Sequence, residues 1–166
     1  MAHSAVGQKH MKNVILECPR DHTIMKEHEQ GEAVLDVCEK CQGQFFDTGE
    51  MFGAFGVKAD PSIWDRPEAG GTVREGTVKC PRCHHTMLCQ DVKYEGQAVE
   101  IDRCRSCGGI WLDKGEVEQI VAIGEKLLPL LEAEKAKAKE ELDKMGDVDF
   151  SPGIFARFFG LFKKKS

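Results

Sequence analysis

CPRCHHTM at residues 80–87, followed by CRSCGGIWLDKGEV at 104–117, decides how this chain is read. Two Cys-x-x-Cys pairs stand with twenty residues between them, Cys80 with Cys83 and Cys104 with Cys107. Nearly the same text occurs earlier, as CPRDHTIM at 18–25 and CEKCQGQFFDTGEM at 38–51. Order and spacing agree, apart from four extra residues between the halves of the later copy. Self-similarity of this kind marks one supersecondary unit used twice.

Each copy reads as a hairpin followed by a helix. Residues 33–37 and 98–102 carry β-branched side chains and are led in by Gly31 and Gly96, which suit a turn. Asp47 with Glu50, and Asp113 with Glu116, have the spacing of a capping box. The pattern predicts a helix starting at each, with the aspartate as N-cap. The first helix is expected to be brief, because Gly53 and Gly56 interrupt it. The second is expected to be long, with Val117, Ile120, Val121, Leu127, Leu128 and Leu131 near one face. Pro129 is expected to kink or split it, since proline lacks the amide hydrogen and clashes with the preceding turn.

The fold class that results is a tandem of small α+β modules, each metal-stabilised, then a long helix and a short amphipathic C-terminal helix. The expected boundaries are a disordered leader at 1–13, module 1 at 14–56 and a linker at 57–77, with Trp64 against one module. Module 2 with its helix follows at 78–128, a charged helix at 129–146 and a basic, Phe-rich tail at 150–166.

The demand for metal comes from size. Modules of about 40 residues rarely close a sufficient core without metal, disulfide or a partner. The stretches around the cysteines hold few large apolar side chains. Eight cysteines are present, with no apolar stretch long enough for a signal-peptide core or a membrane span. A reducing, cytoplasmic setting is therefore expected, where paired cysteines favour metal over disulfide. Two Cys-x-x-Cys turns joined by a hairpin place four sulfurs around one ion, the donor set of structural zinc. Cys80, Cys83, Cys104 and Cys107 supply it in the second copy, and four cysteines leave no open position for catalysis.

The first copy supplies Cys18, Cys38 and Cys41, with Asp21 where the second has Cys83. His22 follows at once, so either Asp21 or His22 could complete the site, and an empty site is the third option. Two zinc ions are the expectation. A mixed site is the one candidate for an open catalytic metal, but no general base stands beside it, and Glu50 is accounted for as a capping residue. Cys89 belongs to no pair and reads as a small buried residue of a strand. Phe45, Phe46, Trp111 and Leu112, directly behind the second knuckles, read as core roofing the metal.

Cys-Pro-x-Cys followed by Cys-x-x-Cys-Gly-Gly-x-Trp-Leu-Asp-x-Gly-Glu resembles the TFIIB-type zinc-ribbon family. The second copy fits from Lys79 to about Ile120; the first has Asp21 for cysteine and Phe45-Phe46-Asp47 for Trp-Leu-Asp. The resemblance implies a zinc-binding ribbon, with Cys80, Cys83, Cys104 and Cys107 as ligands and Cys18, Cys38 and Cys41 beside them. It does not by itself imply a function.

Net charge is −5, of which Arg157 and Lys163 to Lys165 give the tail at 151–166 +4, leaving −9 on the rest. Such a body does not attract nucleic acid or anionic lipid in bulk. The leading expectation is a non-enzymatic interaction or adaptor protein with an unidentified protein partner. A nucleic-acid-binding regulator is the second, encouraged by Lys79, Arg82, Arg103 and Arg105 around the second knuckles. A metal-dependent enzyme is the third, and no acid–base constellation supports it. In the tail, Ser151 and Pro152 can start a helix whose one face carries Phe155, Phe158, Phe159 and Phe162. That face could pack on the chain's own helix, enter a partner's groove or make weak contact with an anionic membrane.

Overall fold

The structure, a computed structural model, describes residues 14–144. The expected leader, and the tail with Phe155, Phe158, Phe159 and Phe162, lie outside the described residues. By contact the chain divides after Pro129, with a body before it and a second unit from Leu130.

Within the body the first copy forms β1 (Lys26–Gln30), β2 (Ala33–Val37) and β3 (Gln44–Phe46), then the six-residue helix α1 (Glu50–Phe55). After α1 come a 3-10 turn (Val57–Ala59), the short helix α2 (Pro61–Trp64) and another 3-10 turn (Pro67–Ala69). The second copy forms β4 (Val73–Lys79), β5 (Thr86–Tyr94), β6 (Gln97–Arg103), β7 (Ile110–Leu112) and the 29-residue helix α3 (Glu116–Lys144). Both hairpins close on two-residue loops, Gln30 facing Ala33 and Tyr94 facing Gln97. Gly31 takes a φ of 57° in one, and Glu95 with Gly96 take 47° and 78° in the other. These are the left-handed turns that match strand twist.

The two copies do not fold as beads on a tether. One seven-stranded antiparallel sheet runs β1-β2-β3-β7-β6-β5-β4, joined in the middle by β3 and β7. Gln44 faces Leu112, Phe45 faces Trp111 and Phe46 faces Ile110. Phe45 and Trp111 are matching residues of the repeat, so the pairing has a local two-fold axis at their contact. The central cluster obeys the same symmetry. It contains Leu16 and Val78, Cys18 and Cys80, Met25 and Met87, Cys38 and Cys104, and Phe45 and Trp111, five matched pairs and nothing else fully buried. Each ring enters a space only glycine leaves. A Cβ on Gly43 would lie 2.2 Å from the Trp111 ring, and one on Gly109 would lie 2.4 Å from that of Phe45.

The linker expected at 57–77 is a correction. Lack of periodicity in that stretch reflects short turns, each too brief to show a period, rather than a loose tether. Ala59, Ile63, Trp64 and Ala69 are all buried. Asp60 caps α2 by accepting from the Ser62 amide at 2.8 Å, with Pro61 at the first helical position. Asp65 takes both Arg103 Nη1 contacts, at 2.8 and 2.9 Å, and Gln90 Nε2 at 3.2 Å. The sheet of the second copy begins at Val73, inside the expected linker.

Helix α3 buries Val117, Ile120, Ile123 and Leu127 against the body, with Val121 and Leu128 half-buried. It runs through Pro129 as one element, unsplit. From Leu130 it is mostly charged, with Leu142 exposed. Gly124 sets how closely α3 lies on the Val57–Ala59 turn, since a Cβ there would fall 1.7 Å from the Lys58 carbonyl oxygen. Lys58 Nζ also meets Glu125 at 2.6 Å, and Trp64 Nε1 donates to the Lys58 carbonyl at 3.4 Å.

Gly124→Ala separates two effects of opposite sign. Helix propensity alone favours alanine by about 1 kcal/mol, whereas the steric clash should cost about 1–3 kcal/mol. A lowered denaturation midpoint with a red-shifted tryptophan emission is expected, as Trp64 is prised toward water. A raised midpoint would show that the turn does not lie on the helix.

Candidate metal centres

Four chain reversals of one design hold the metal-binding side chains. In each, the first cysteine accepts a backbone bond from the residue four on and donates to the carbonyl five on. The bonds are His22 N to Cys18 O (2.9 Å) with Cys18 N to Thr23 O (2.8 Å), and Gln42 N to Cys38 O (2.8 Å) with Cys38 N to Gly43 O (2.9 Å). The second copy repeats them, His84 N to Cys80 O (2.9 Å) with Cys80 N to His85 O (2.9 Å), and Gly108 N to Cys104 O (2.9 Å) with Cys104 N to Gly109 O (2.8 Å). The residue after the second donor position turns left-handed each time: His22 at 60°, Gln42 at 62°, His84 at 60° and Gly108 at 74°. Amides then point at sulfur, as from Arg20 N to Cys18 Sγ (3.4 Å), Cys41 N to Cys38 Sγ (3.5 Å) and Gly43 N to Cys41 Sγ (3.4 Å).

Cys80, Cys83, Cys104 and Cys107 come together with their donor atoms all within 4.8 Å of one another. Cys80 and Cys107 sulfurs are 3.5 Å apart, and those of Cys83 and Cys104 are 3.4 Å apart. A tetrahedral zinc with bonds of about 2.3 Å asks for sulfurs about 3.8 Å apart, so the cage fits that ion with a slight expansion. All eight cysteines are free thiols. Cys89 belongs to neither cluster and lies buried in β5.

The second cluster is Cys18, Asp21, Cys38 and Cys41, with the same 4.8 Å limit. Cys18 and Cys41 sulfurs are 3.5 Å apart, and Cys38 Sγ lies 3.6 Å from both Asp21 oxygens. His22 is not among them. It is exposed and occupies the left-handed position that His84 takes after Cys83. Cys-x-x-x-His is an acceptable ligand spacing in the abstract, but the knuckle places its second donor at the third step, and Asp21 stands there.

The donors of the two cages differ in how readily they carry charge. Burial pushes the Cys18 thiol up to about 12 and raises Cys80 and Cys107 as well. The His85 amide holds Cys83 down at about 6, and the Thr23 amide, 3.0 Å from Asp21 Oδ1, holds that carboxyl at about 2. Asp21 is thus an anion ready to ligate, whereas the buried thiols must lose protons when a metal enters.

The two aspartates read as N-caps do something else. Glu50 and Glu116 make the backward half of each capping box, accepting from the Asp47 amide (2.8 Å) and the Asp113 amide (2.7 Å). The N-cap of α1 is Gly49, with no side-chain cap. Each aspartate side chain instead meets an arginine of the other copy. Arg20 donates through Nε and Nη2 to Asp113 (3.0 and 2.6 Å) and through Nη2 to Asp102 (3.0 Å). Arg82 donates through Nε and Nη2 to Asp47 (3.2 and 2.6 Å), with Nη2 3.8 Å from Asp36. Trp111 Nε1 adds a bond to Asp113 at 2.9 Å. Asp36 and Asp102 are matching positions, and they are the buried carboxylates of the described residues. Burial still pushes Asp102 up to about 6 despite Arg20.

The pairing of Arg20 and Arg82 with aspartates of the other copy, Asp36 and Asp102 among them, is what reading the sequence missed. A signal was present: arginine follows Cys-Pro in both copies, and aspartate stands two residues before the third cluster cysteine in both. Two of the basic residues noted around the second knuckles are committed internally, Arg82 to Asp47 and Arg103 to Asp65.

Zinc affinity measured by chelator competition should fall at least tenfold at the first site in Asp21→Ala. In His22→Asn, which keeps a residue tolerant of the left-handed turn, it should stay within about twofold. Asp21→Cys should tighten it. Affinity should weaken at both sites as pH falls, because protons compete for thiolates that burial already disfavours. A large loss confined to His22→Asn would return the ligand role to His22.

Residues 17–52 and 79–123 both match the transcription factor zinc-finger family, the TFIIB-type zinc ribbon. No curated protein and no solved structure matches the chain. Both copies of the repeat are therefore TFIIB-type zinc ribbons of the transcription factor zinc-finger family, carried in tandem by one chain.

Proposed function

We propose that the chain is a non-enzymatic interaction protein that holds one zinc ion at each cluster, both structural. The observation that carries this reading is the closure of the two cages. Each already has four donors, so neither leaves a position for substrate or reactive water. Glu50 and Glu116, the acids nearest a role as general base, are turned to the backbone amides of Asp47 and Asp113. Zinc supplies folding free energy in such sites, which suits a body whose central cluster sets cysteines of both cages among a small number of apolar side chains.

A regulator that binds nucleic acid is the second reading, favoured by the family's description. Opposing it, the arginines nearest the knuckles, Arg20, Arg82 and Arg103, are paired with Asp113, Asp47 and Asp65. Lys79 and Arg105 remain exposed, too few for a basic face on a body of this charge. A protein partner fits better, contacted through the charged stretch from Leu130 and the Phe-rich tail, in a reducing cytoplasmic setting that suits free thiols. Among the described residues no helix is long and apolar enough to cross a membrane. Contact of the tail with an anionic membrane would be weak and reversible, about 1 kcal/mol per basic residue near the surface.

Two measurements test the reading. Freshly purified, reduced protein should contain two zinc ions per chain by elemental analysis. Intact protein and a version ending at Asp149 should both bind duplex DNA no tighter than about 10 µM at physiological salt, within the usual non-specific range. A sub-micromolar, sequence-selective shift would replace the interaction protein with the regulator. Loss of vesicle binding on Phe158→Ser with Phe159→Ser, at low salt, would assign the tail to a membrane.

A further inference from the structure

We propose that the two metal sites load and empty as one cooperative pair, coupled through Arg20 and Arg82. This inference rests on zinc occupying both cages, as argued above.

The arginines sit inside the metal-binding loops, between the two donors of the first knuckle of each ribbon: Cys18-Pro19-Arg20-Asp21 and Cys80-Pro81-Arg82-Cys83. The Arg20 amide points at Cys18 sulfur, so the loop shape that serves the metal also fixes where its side chain departs. That side chain crosses to the other ribbon. Arg20 grips Asp102, two residues before the donor Cys104, and Asp113 at the start of α3. Arg82 crosses the opposite way to Asp36, two residues before the donor Cys38, and to Asp47. Each metal loop therefore neutralises the buried carboxylate on the strand that delivers the other site's second cysteine pair.

The energetics make this a two-way lock. A buried carboxylate stripped of its cation is far costlier than an intact pair is favourable. A cage that loses its ion loses the loop shape that holds the arginine, and the cost then falls on the opposite ribbon. Two further contacts run in parallel. Thr48 Oγ1 donates to the carbonyl of the donor Cys107 at 3.0 Å, and the Phe45 and Trp111 rings fill the spaces beside Gly109 and Gly43 on each other's second knuckle. Linkage is reciprocal, so the ion at the four-cysteine site raises the affinity of the aspartate-containing site by the same factor as the reverse. A carboxylate is a harder donor than thiolate, so the first site depends more on that help.

The test is chelator competition on the full chain, with zinc release and tryptophan emission followed together. Wild type should release both ions in a single transition. Arg20→Gln with Arg82→Gln keeps all eight donor residues, and its release should split into two steps. The earlier step, identified by its absence in a further Asp21→Ala variant, should come at least tenfold sooner than in wild type, a typical size for coupling between sites. Cys107→Ser should cost the first site its zinc as well as the second. Two separate steps in wild type would overturn the coupling. So would a double variant whose two ions still leave together, merely earlier, since that is what simple loss of stability produces. Wild type with no zinc at all would overturn the zinc reading and the coupling together, whereas two ions released independently would overturn the coupling alone.

Discussion

Three residues pairing with three residues hold this body together. Gln44–Phe46 and Ile110–Leu112 are too short to be stable as an isolated pair, yet they join the two ribbons' strands into one sheet. What makes so brief a ladder sufficient is the packing behind it. Phe45 and Trp111 are fully buried at the axis, and each can approach the neighbour's knuckle closely because a glycine stands there. The metal cages, the hairpins and the start of α3 are all referred to this contact. Without it each ribbon would expose half of a ten-residue core.

Charge is arranged around the same axis. The body is acidic, and the arginines that a nucleic-acid protein would offer to a partner are paired with matching aspartates. Placing carboxylates such as Asp36 and Asp102 out of water is unfavourable on its own, and the arginines offset it only in part, as the raised Asp102 shows. Such pairs contribute little net stability compared with apolar replacements. Both pairs are met together in the observed joining of the ribbons.

The repeat, the cysteine spacing, the brief first helix and the long second one were legible in the sequence, because each depends on local chemistry. Cysteine pairs declare themselves by spacing, and Gly56 ends α1. What was not legible depends on the partner across the axis. Asp47 and Asp113 look like N-caps until an arginine from the other ribbon takes them. The stretch around Trp64 looks like a tether until Gly124 lets α3 lie on the Lys58 carbonyl. Asp21 against His22 was undecided for a different reason: ligand spacing alone does not say which step of the turn faces the ion. In the structure Asp21 groups with the three cysteines, and His22 takes the same left-handed backbone as His84 in the second copy.

The two-fold axis also bears on how unequal the two copies can become. A separate chain with one such ribbon would meet its copy only by diffusion, and any change in its donor set would appear twice in the dimer. Joined in tandem, the second encounter becomes intramolecular, with an effective concentration on the order of millimolar for a short connection. Symmetry is then needed only where the halves touch. Away from that contact one cage can exchange a cysteine for Asp21 while the other keeps all four, and the join itself, residues 57–69, can become a folded part of the body.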